Sequence, residues 1–228
     1  MYSIPSTTFE PTGDGSKTLF HPLIGEYYHS KHGAVQESQH VFLKHGLLHL
    51  LENFSGSNLR LLEVGFGTGL NFLLSAQAVK TYDVILDYQG VEAYPLPLTT
   101  LLESDYARFV DDTVWQQFTL QYEEALQKQQ TLFEQVRWRV HPSLLLDFVP
   151  SEPLHLLYYD AFSPRHQPEM WSKEVLAHVA SMLLPDGVFV TYSITGQLRR
   201  DLQELGFEVE KLMGPPGKRE MLRARKLQ

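Results

Sequence analysis

Residues 59–74, LRLLEVGFGTGLNFLL, constrain the fold of this chain more than any other stretch. An apolar run, Leu61-Leu62-Glu63-Val64, enters Gly65-x-Gly67-x-Gly69 and continues as an apolar-periodic segment, the pattern of a buried strand, a tight turn and the first turns of a helix. Glycines lack a Cβ, so the turn can adopt positive φ and a ligand can lie directly against the backbone. A nucleotide-type ligand suits such a loop. The dinucleotide fingerprint G-x-G-x-x-G does not fit, because its third glycine falls on Leu70, and no G-x-x-x-x-G-K-[ST] run exists. The plainer reading is a turn that only lets helix and strand pack closely. Some twenty residues on, Tyr88-Gln89-Gly90-Val91-Glu92 reads as a second strand ending in an acid, where nucleotide folds place a carboxylate on ribose hydroxyls.

Composition narrows the choice. With 228 residues, 43% of them hydrophobic, the chain is expected to form one domain with an ample core. Within it we divide 1–50, an N-terminal arm and helix beside the site, from 51–228, the main α/β core. Met1 to Glu10 lacks the basic and apolar regions of a secretory leader, and no apolar run approaches the ~20 residues of a membrane span. Zero cysteines exclude disulfides and thiolate chemistry and fit a cytoplasmic protein. Chemistry that needs a cysteine to add to a pyrimidine ring carbon is excluded with them. His29, His32, His40 and His45 lack a companion such as H-E-x-x-H, and no metal is expected. The net charge of −8 disfavours a general nucleic-acid binder, yet KREMLRARK, from Lys218 to Lys226, has five cations against Glu220. That segment is either a local electrostatic footprint or a solvated basic strand.

Along the chain, 7–25 reads as an extended arm or small hairpin turning at Asp14-Gly15, and a helix is expected from Ala34. Further helices are expected over 70–79, most of 100–130, 173–183 and 195–205, the last ended by Gly206. Strands are expected at 137–140, 154–159 and 188–191, with a closing hairpin over 207–212 and 220–225 turning at Gly214-Pro215-Pro216-Gly217. The alternation implies a largely parallel sheet sandwiched by helices. LHLLYYDAFSP puts Asp160 at the carboxyl end of a buried strand, where open α/β sheets bind ligands, and Phe162 offers a flat face to a planar base. Otherwise Asp160 caps a turn and Phe162 packs in the core.

The loop E-x-G-x-G-x-G, acidic at Glu63, resembles motif I of class I S-adenosylmethionine-dependent methyltransferases. Asp14-Gly15-Ser16, GEYYHSKHGAVQESQHVFL, EVGFGTGLNFL, Glu92 with Pro95, DAFSP followed by PEMW, and GKREM occur in that order. Together they resemble the tRNA 5-methylaminomethyl-2-thiouridine methyltransferases, the methyl-transferring half of bifunctional MnmC or its stand-alone form MnmD. The resemblance implies a Rossmann-like fold, a mostly parallel seven-stranded sheet with a C-terminal antiparallel hairpin, and S-adenosylmethionine as cofactor. It implies N-methylation of 5-aminomethyl-2-thiouridine at the tRNA wobble position. Family bifunctional members carry a flavin oxidase domain for which 228 residues leave no room. By this resemblance Gly65, Gly67 and Gly69 carry the cofactor, Glu92 holds its ribose, and Glu63, Asn71 and Glu37 support the loop and the methionine end. Asp160 is the base or the acceptor that positions the amine. Tyr28 and Phe162 stack on the uridine, and Lys218 and Arg219 hold anticodon-loop phosphates. The third strand ends in His141-Pro142-Ser143 where many methyltransferases place an adenine-binding acid, so a backbone group, His141 or Ser143 makes that contact. Two other classes share the pattern: an aminopropyltransferase of the spermidine synthase type, and a non-catalytic RNA-binding protein on the same fold.

Overall fold

The computed structural model describes residues 8–227; Met1–Thr7, with most of the stretch examined for a leader and the first residue of the arm, lie outside it, as does Gln228. The arm forms a three-stranded antiparallel sheet of β1 (Phe9–Pro11), β2 (Lys17–His21) and β3 (Glu26–Tyr27). A helix follows as α1 (Ala34–Ser38), a π-helical stretch (Gln39–Leu48) and α2 (His49–Leu51). The core then runs β4 (Asn58–Val64), α3 (Leu70–Val79), β5 (Ile85–Val91), α4 (Leu98–Leu102), α5 (Asp112–Ala125), β6 (Gln130–Leu132), β7 (Val136–His141) and β8 (Leu154–Tyr159). It closes with α6 (Lys173–Met182), β9 (Leu183–Thr191), α7 (Gly196–Glu204), β10 (Phe207–Met213) and β11 (Glu220–Lys226).

The sheet order is β10-β11-β9-β8-β4-β5-β7-β6. β9, β8, β4, β5 and β7 are parallel, β11 and β6 run against them, and β10, antiparallel to β11, runs in their direction. One face buries Val41, Phe42, Phe72, Phe118 and Trp138 beneath the π-helix, α3 and α5. The other buries Leu62, Tyr159, Leu176, Phe189 and Leu202 beneath α6 and α7. Each side chain of a central strand thus points into one of two apolar layers, which explains the near-continuous apolar runs.

Four expectations need correction. The sheet has eight strands rather than seven, because Phe133 takes a left-handed φ of 57° and folds β6 back along β7. The helix expected over most of 100–130 breaks at Asp105, φ 63°, leaving α4, a 3-10 turn (Tyr106–Phe109) and α5. β9 starts at Leu183 and takes in Pro185-Asp186-Gly187, at a register irregularity against β8. The helix from Ala34 is mostly π-helical, and Gly46 lies against the sheet where a Cβ would meet Tyr158 Cε1 at 2.9 Å and Val190 Cγ1 at 3.0 Å. Among the described residues no group of three His, Asp or Glu side chains is arranged to hold an ion. Among the same residues no helix is long and apolar enough to cross a membrane.

Candidate active site

A cavity of about 620 Å³ opens at the carboxyl edge of the parallel strands. The segments after β4 (Gly65–Gly67), β5 (Glu92–Tyr94), β7 (Ser143–Leu145), β8 (Asp160–Phe162) and β9 (Tyr192) line it, and the arm closes it from above with His21 to Lys31. Parallel strands leave their helices at this edge, so loops from strands far apart in sequence converge there.

The glycine loop is fixed by contacts that leave no room for side chains. Gly65 has φ 83°, and a Cβ there would stand 2.6 Å from the Asp160 carbonyl oxygen. Gly67 has φ 51° and packs on the Tyr28 ring, 2.9 Å from a built Cβ. Its N–H donates to Glu92 Oε2 at 3.0 Å, and the Tyr94 N–H donates to Oε1 at 3.1 Å. Burial pushes the Glu92 carboxyl above its ordinary range against those two bonds.

Asp160 occupies the wall beside this loop. Asn71 Nδ2 donates to Asp160 Oδ2 and to Glu63 Oε1, both at 2.8 Å, and Tyr88 Oη donates to Glu63 Oε2 at 2.7 Å. Burial, reinforced by the negative charge of Glu37, raises the Asp160 carboxyl to about 8; Asn71 and Lys218 oppose the shift. Burial pushes Glu63 up as well, with Asp160 adding to it. Phe162 meets Tyr28 and His21 edge-on and His21 is tilted against Tyr28, with centroids 5.1 to 5.9 Å apart.

The arm is tied into this wall. Asp14 Oδ2 accepts from Gln36 N at 2.8 Å and Ser16 Oγ from Ala34 N at 3.1 Å, so the Asp14-Gly15-Ser16 turn caps α1 from outside it. His29 Nε2 lies 2.8 Å from Thr68 Oγ1, which meets Tyr106 Oη at 3.2 Å. Burial lowers the His29 imidazole to about 4, so it is neutral near pH 7. Glu37 Oε2 accepts from Ser30 N at 2.8 Å, and its Oε1 holds Lys218 Nζ at 2.6 Å. That ammonium also lies 3.6 Å from the Tyr192 ring centre.

Of the residues singled out in the sequence, Gly65, Gly67, Glu92, Glu37, Tyr28, Asp160, Phe162 and Lys218 line the cavity. Glu63, Gly69 and Asn71 do not. Glu63 and Asn71 are only 1% and 3% exposed and stand behind the wall, holding Asp160 and the loop. Gly69, φ 76°, opens α3 against Phe118. Lys218 points inward to Glu37 rather than outward to a phosphate, and Arg219 is exposed outside. Tyr192, Tyr88, Glu26 and His21 escaped the sequence reading. Glu26 Oε2 accepts from Ser163 N at 2.7 Å, clasping the arm to the loop after Asp160; its place within GEYYHS was the only available signal.

A family model described as S-adenosyl-L-methionine-dependent methyltransferase matches residues 111–227, just over half of the chain. This chain belongs to that family. The methyltransferase is also 31% identical over 219 residues to the tRNA 5-methylaminomethyl-2-thiouridine biosynthesis bifunctional protein MnmC of Methylobacillus flagellatus, a match covering 87% of this chain and 32% of that protein. To the protein of the same name from Pseudomonas aeruginosa it is 32% identical over 212 residues, with 87% and 32% covered. The chain thus spans about a third of the length of these curated relatives. The crystal structure of MNMC2 from Aquifex aeolicus superimposes with a TM-score of 0.76 at 23% identity, over 98% of this chain and 71% of that one, and shares the fold.

The cavity fits the family's cofactor, S-adenosyl-L-methionine. The Gly65 and Gly67 cradle admits a flat ligand against backbone, and Glu92 keeps lone pairs for hydroxyls beyond its two N–H partners. Ser143 Oγ is buried without a partner beside the cavity. Five carboxylates line the space against two ammonium groups, which suits a sulfonium cation.

Lys218 separates two carboxylates electrostatically. In Lys218→Met, Glu37 is left unpaired near Asp160, so the Asp160 carboxyl rises further and the alkaline-going limb of the pH–rate profile moves up by about one unit. A profile unchanged from wild type contradicts this.

Proposed function

We propose that this methyltransferase methylates the side-chain amine of 5-aminomethyl-2-thiouridine at the tRNA wobble position, giving 5-methylaminomethyl-2-thiouridine. The observation that carries the reading is a buried, amide-oriented Asp160 beside an aromatic cluster, in a chain similar to proteins named for that biosynthesis. S-adenosyl-L-methionine supplies an electrophilic methyl group and leaves as a neutral thioether when the new C–N bond forms.

An alkylamine is mostly an ammonium ion at neutral pH and has no lone pair to attack with. Asp160, raised to about 8, is far closer in basicity to such an amine than an ordinary carboxylate is, so it can take the proton. It does so in its ionised form, and once that proton has passed on to solvent the carboxylate accepts a hydrogen bond from the neutral amine and aims its lone pair. Asn71 holds the carboxylate in place, and Glu63 with Tyr88 holds Asn71. Glu92 takes the ribose, Glu37 and Lys218 the charged methionine end, and Ser143 the adenine. Phe162 with Tyr28 and His21 offers edges and faces to the uracil ring. On this reading residues 1–50 supply a lid, 51–228 the catalytic core, and Arg219 rather than Lys218 meets phosphate. The same reading puts the enzyme in the cytoplasm with its tRNA.

Incubation with labelled cofactor and tRNA carrying the unmethylated aminomethyl base tests the acceptor. Label is expected in tRNA, and not in tRNA whose wobble uridine lacks the aminomethyl group. Label in putrescine or another polyamine, with none in tRNA, would overturn the proposal in favour of small-amine chemistry.

A further inference from the structure

Most cations of this acidic chain are already paired. Arg60 meets Glu152 at 3.0 Å, Arg108 Asp105 at 3.2 Å, Arg223 Glu210 at 2.6 Å, Arg225 Asp186 at 2.6 Å and Lys211 Glu220 at 3.0 Å. Arg165, Arg199 and Arg219 make no ion pair within 4.0 Å among the described residues. Lys44, Arg137, Arg139, Arg200 and Lys226 make no ion pair either, but Lys44 stands in the π-helix, Arg137 and Arg139 in β7, four strands from β9, Arg200 donates to Gln197, and Lys226 donates to the Ala180 and Leu183 carbonyls.

The topology puts the segments that carry the three arginines at the carboxyl ends of the adjacent strands β8 and β9, on one side of the cavity. Arg165 follows Asp160 by five residues in the loop after β8, and Arg199 lies in α7, just after β9. Leu222 of β11 pairs with Thr191, the last residue of β9, so Arg219 sits beyond the carboxyl end of that strand. Its neighbour Lys218 lines the cavity itself. Glu220 is held below its usual carboxyl range by its bond from Lys211 and by the nearby charges of Arg219 and Arg199, which puts those two guanidiniums in one neighbourhood.

The opposite flank differs in kind. Tyr94, after β5, is 49% exposed, and Leu144, after β7, is 57% exposed; both line the mouth. Guanidiniums without ion pairs outside one edge of the cavity, with exposed apolar side chains at the other, match a single strand of RNA, whose phosphates and bases lie on opposite sides.

We infer that the substrate RNA crosses the mouth with its phosphates on Arg165, Arg199 and Arg219 and with a base next to the reacting nucleotide on Tyr94 and Leu144. The inference rests on the RNA acceptor of the proposed function and adds the direction in which the strand lies. It also explains how a chain of net charge −8 can take a polyanion: the cations that matter are the few left unpaired at the site.

Binding of a fluorescent anticodon stem-loop is measured at about 50 to 200 mM salt, alongside steady-state kinetics with the same RNA. In R165Q/R199Q/R219Q the slope of log Kd against log salt is expected to fall by about 2, from ~0.7 per single-strand phosphate contact, with a rise in KM of tenfold or more. In Tyr94→Ala with Leu144→Ser, affinity falls while the slope stays, because stacking releases no counterions. Cofactor affinity of the triple variant, measured by calorimetry, reports that it is folded. Unchanged slope and KM in a folded triple variant, with wild type methylating the RNA, would overturn this inference and leave the acceptor standing. A wild-type chain that neither binds nor methylates the stem-loop overturns both.

Discussion

Replacing Asp160 by Asn is expected to reduce methyl transfer by about 10²- to 10⁴-fold while making the protein more stable at alkaline pH. Asn keeps the shape of the side chain, and its carbonyl can still accept the bond from Asn71 Nδ2, so the wall stays built. What it loses is the negative charge that takes the proton and aims the amine. The stability change follows from linkage. The Asp160 carboxyl titrates at about 8 in the folded protein, against an unfolded value of about 4. The folded chain therefore holds a proton that the unfolded chain has lost between those values, and the stabilisation of the protonated form is lost as pH rises through about 8. Asn carries no charge to desolvate. Thermal midpoints of wild type and variant should coincide below about pH 4, separate progressively between about pH 4 and 8 and stay apart above that, with the variant higher by roughly 4–8 °C for a difference on the order of 2 kcal/mol. A variant that is less stable at every pH would show that Asp160 is structural instead.

The second large effect lies across the loop. Gly65→Ala puts a methyl group 2.6 Å from the Asp160 carbonyl oxygen, at a φ of 83° that alanine disfavours. The backbone strain costs about 1–3 kcal/mol, and the clash moves the two segments that form the cavity floor. Cofactor affinity should fall at least tenfold on calorimetry, together with a lower thermal midpoint. Gly206→Ala is the control, because Gly206 has φ 86° but nothing within 4 Å of a built Cβ. It bears the strain alone and should bind cofactor as wild type does. Equal losses in both variants would mean that close packing at Gly65 has no special role.

The parts of this molecule that were legible in the sequence are those written locally. β4, the glycine turn and α3 follow one another in a single run from Asn58 to Val79, and β8 runs straight into Asp160, so an apolar run and a breaker sufficed to read them. Facing was harder. Strand side chains alternate, and Glu63 falls with Leu61 on the face that packs against α3 and Tyr88, while Val64 reaches the cavity. A motif read as a set of ligands therefore divides into a wall and its supports. The Lys218–Glu37 pair joins residues 181 positions apart, and His29 meets Thr68 across 39, which no period or spacing reports. β6 was missed because three residues give no periodicity.

Fragmentation mass spectrometry of the nucleoside formed by the purified chain from aminomethyl-bearing tRNA tests the central claim most directly. The account predicts a single added methyl group, on the side-chain nitrogen, absent with Asp160→Asn. A methyl group found on the uracil ring or on the ribose would contradict it, because the account sets the side-chain amine, and neither of those positions, against Asp160.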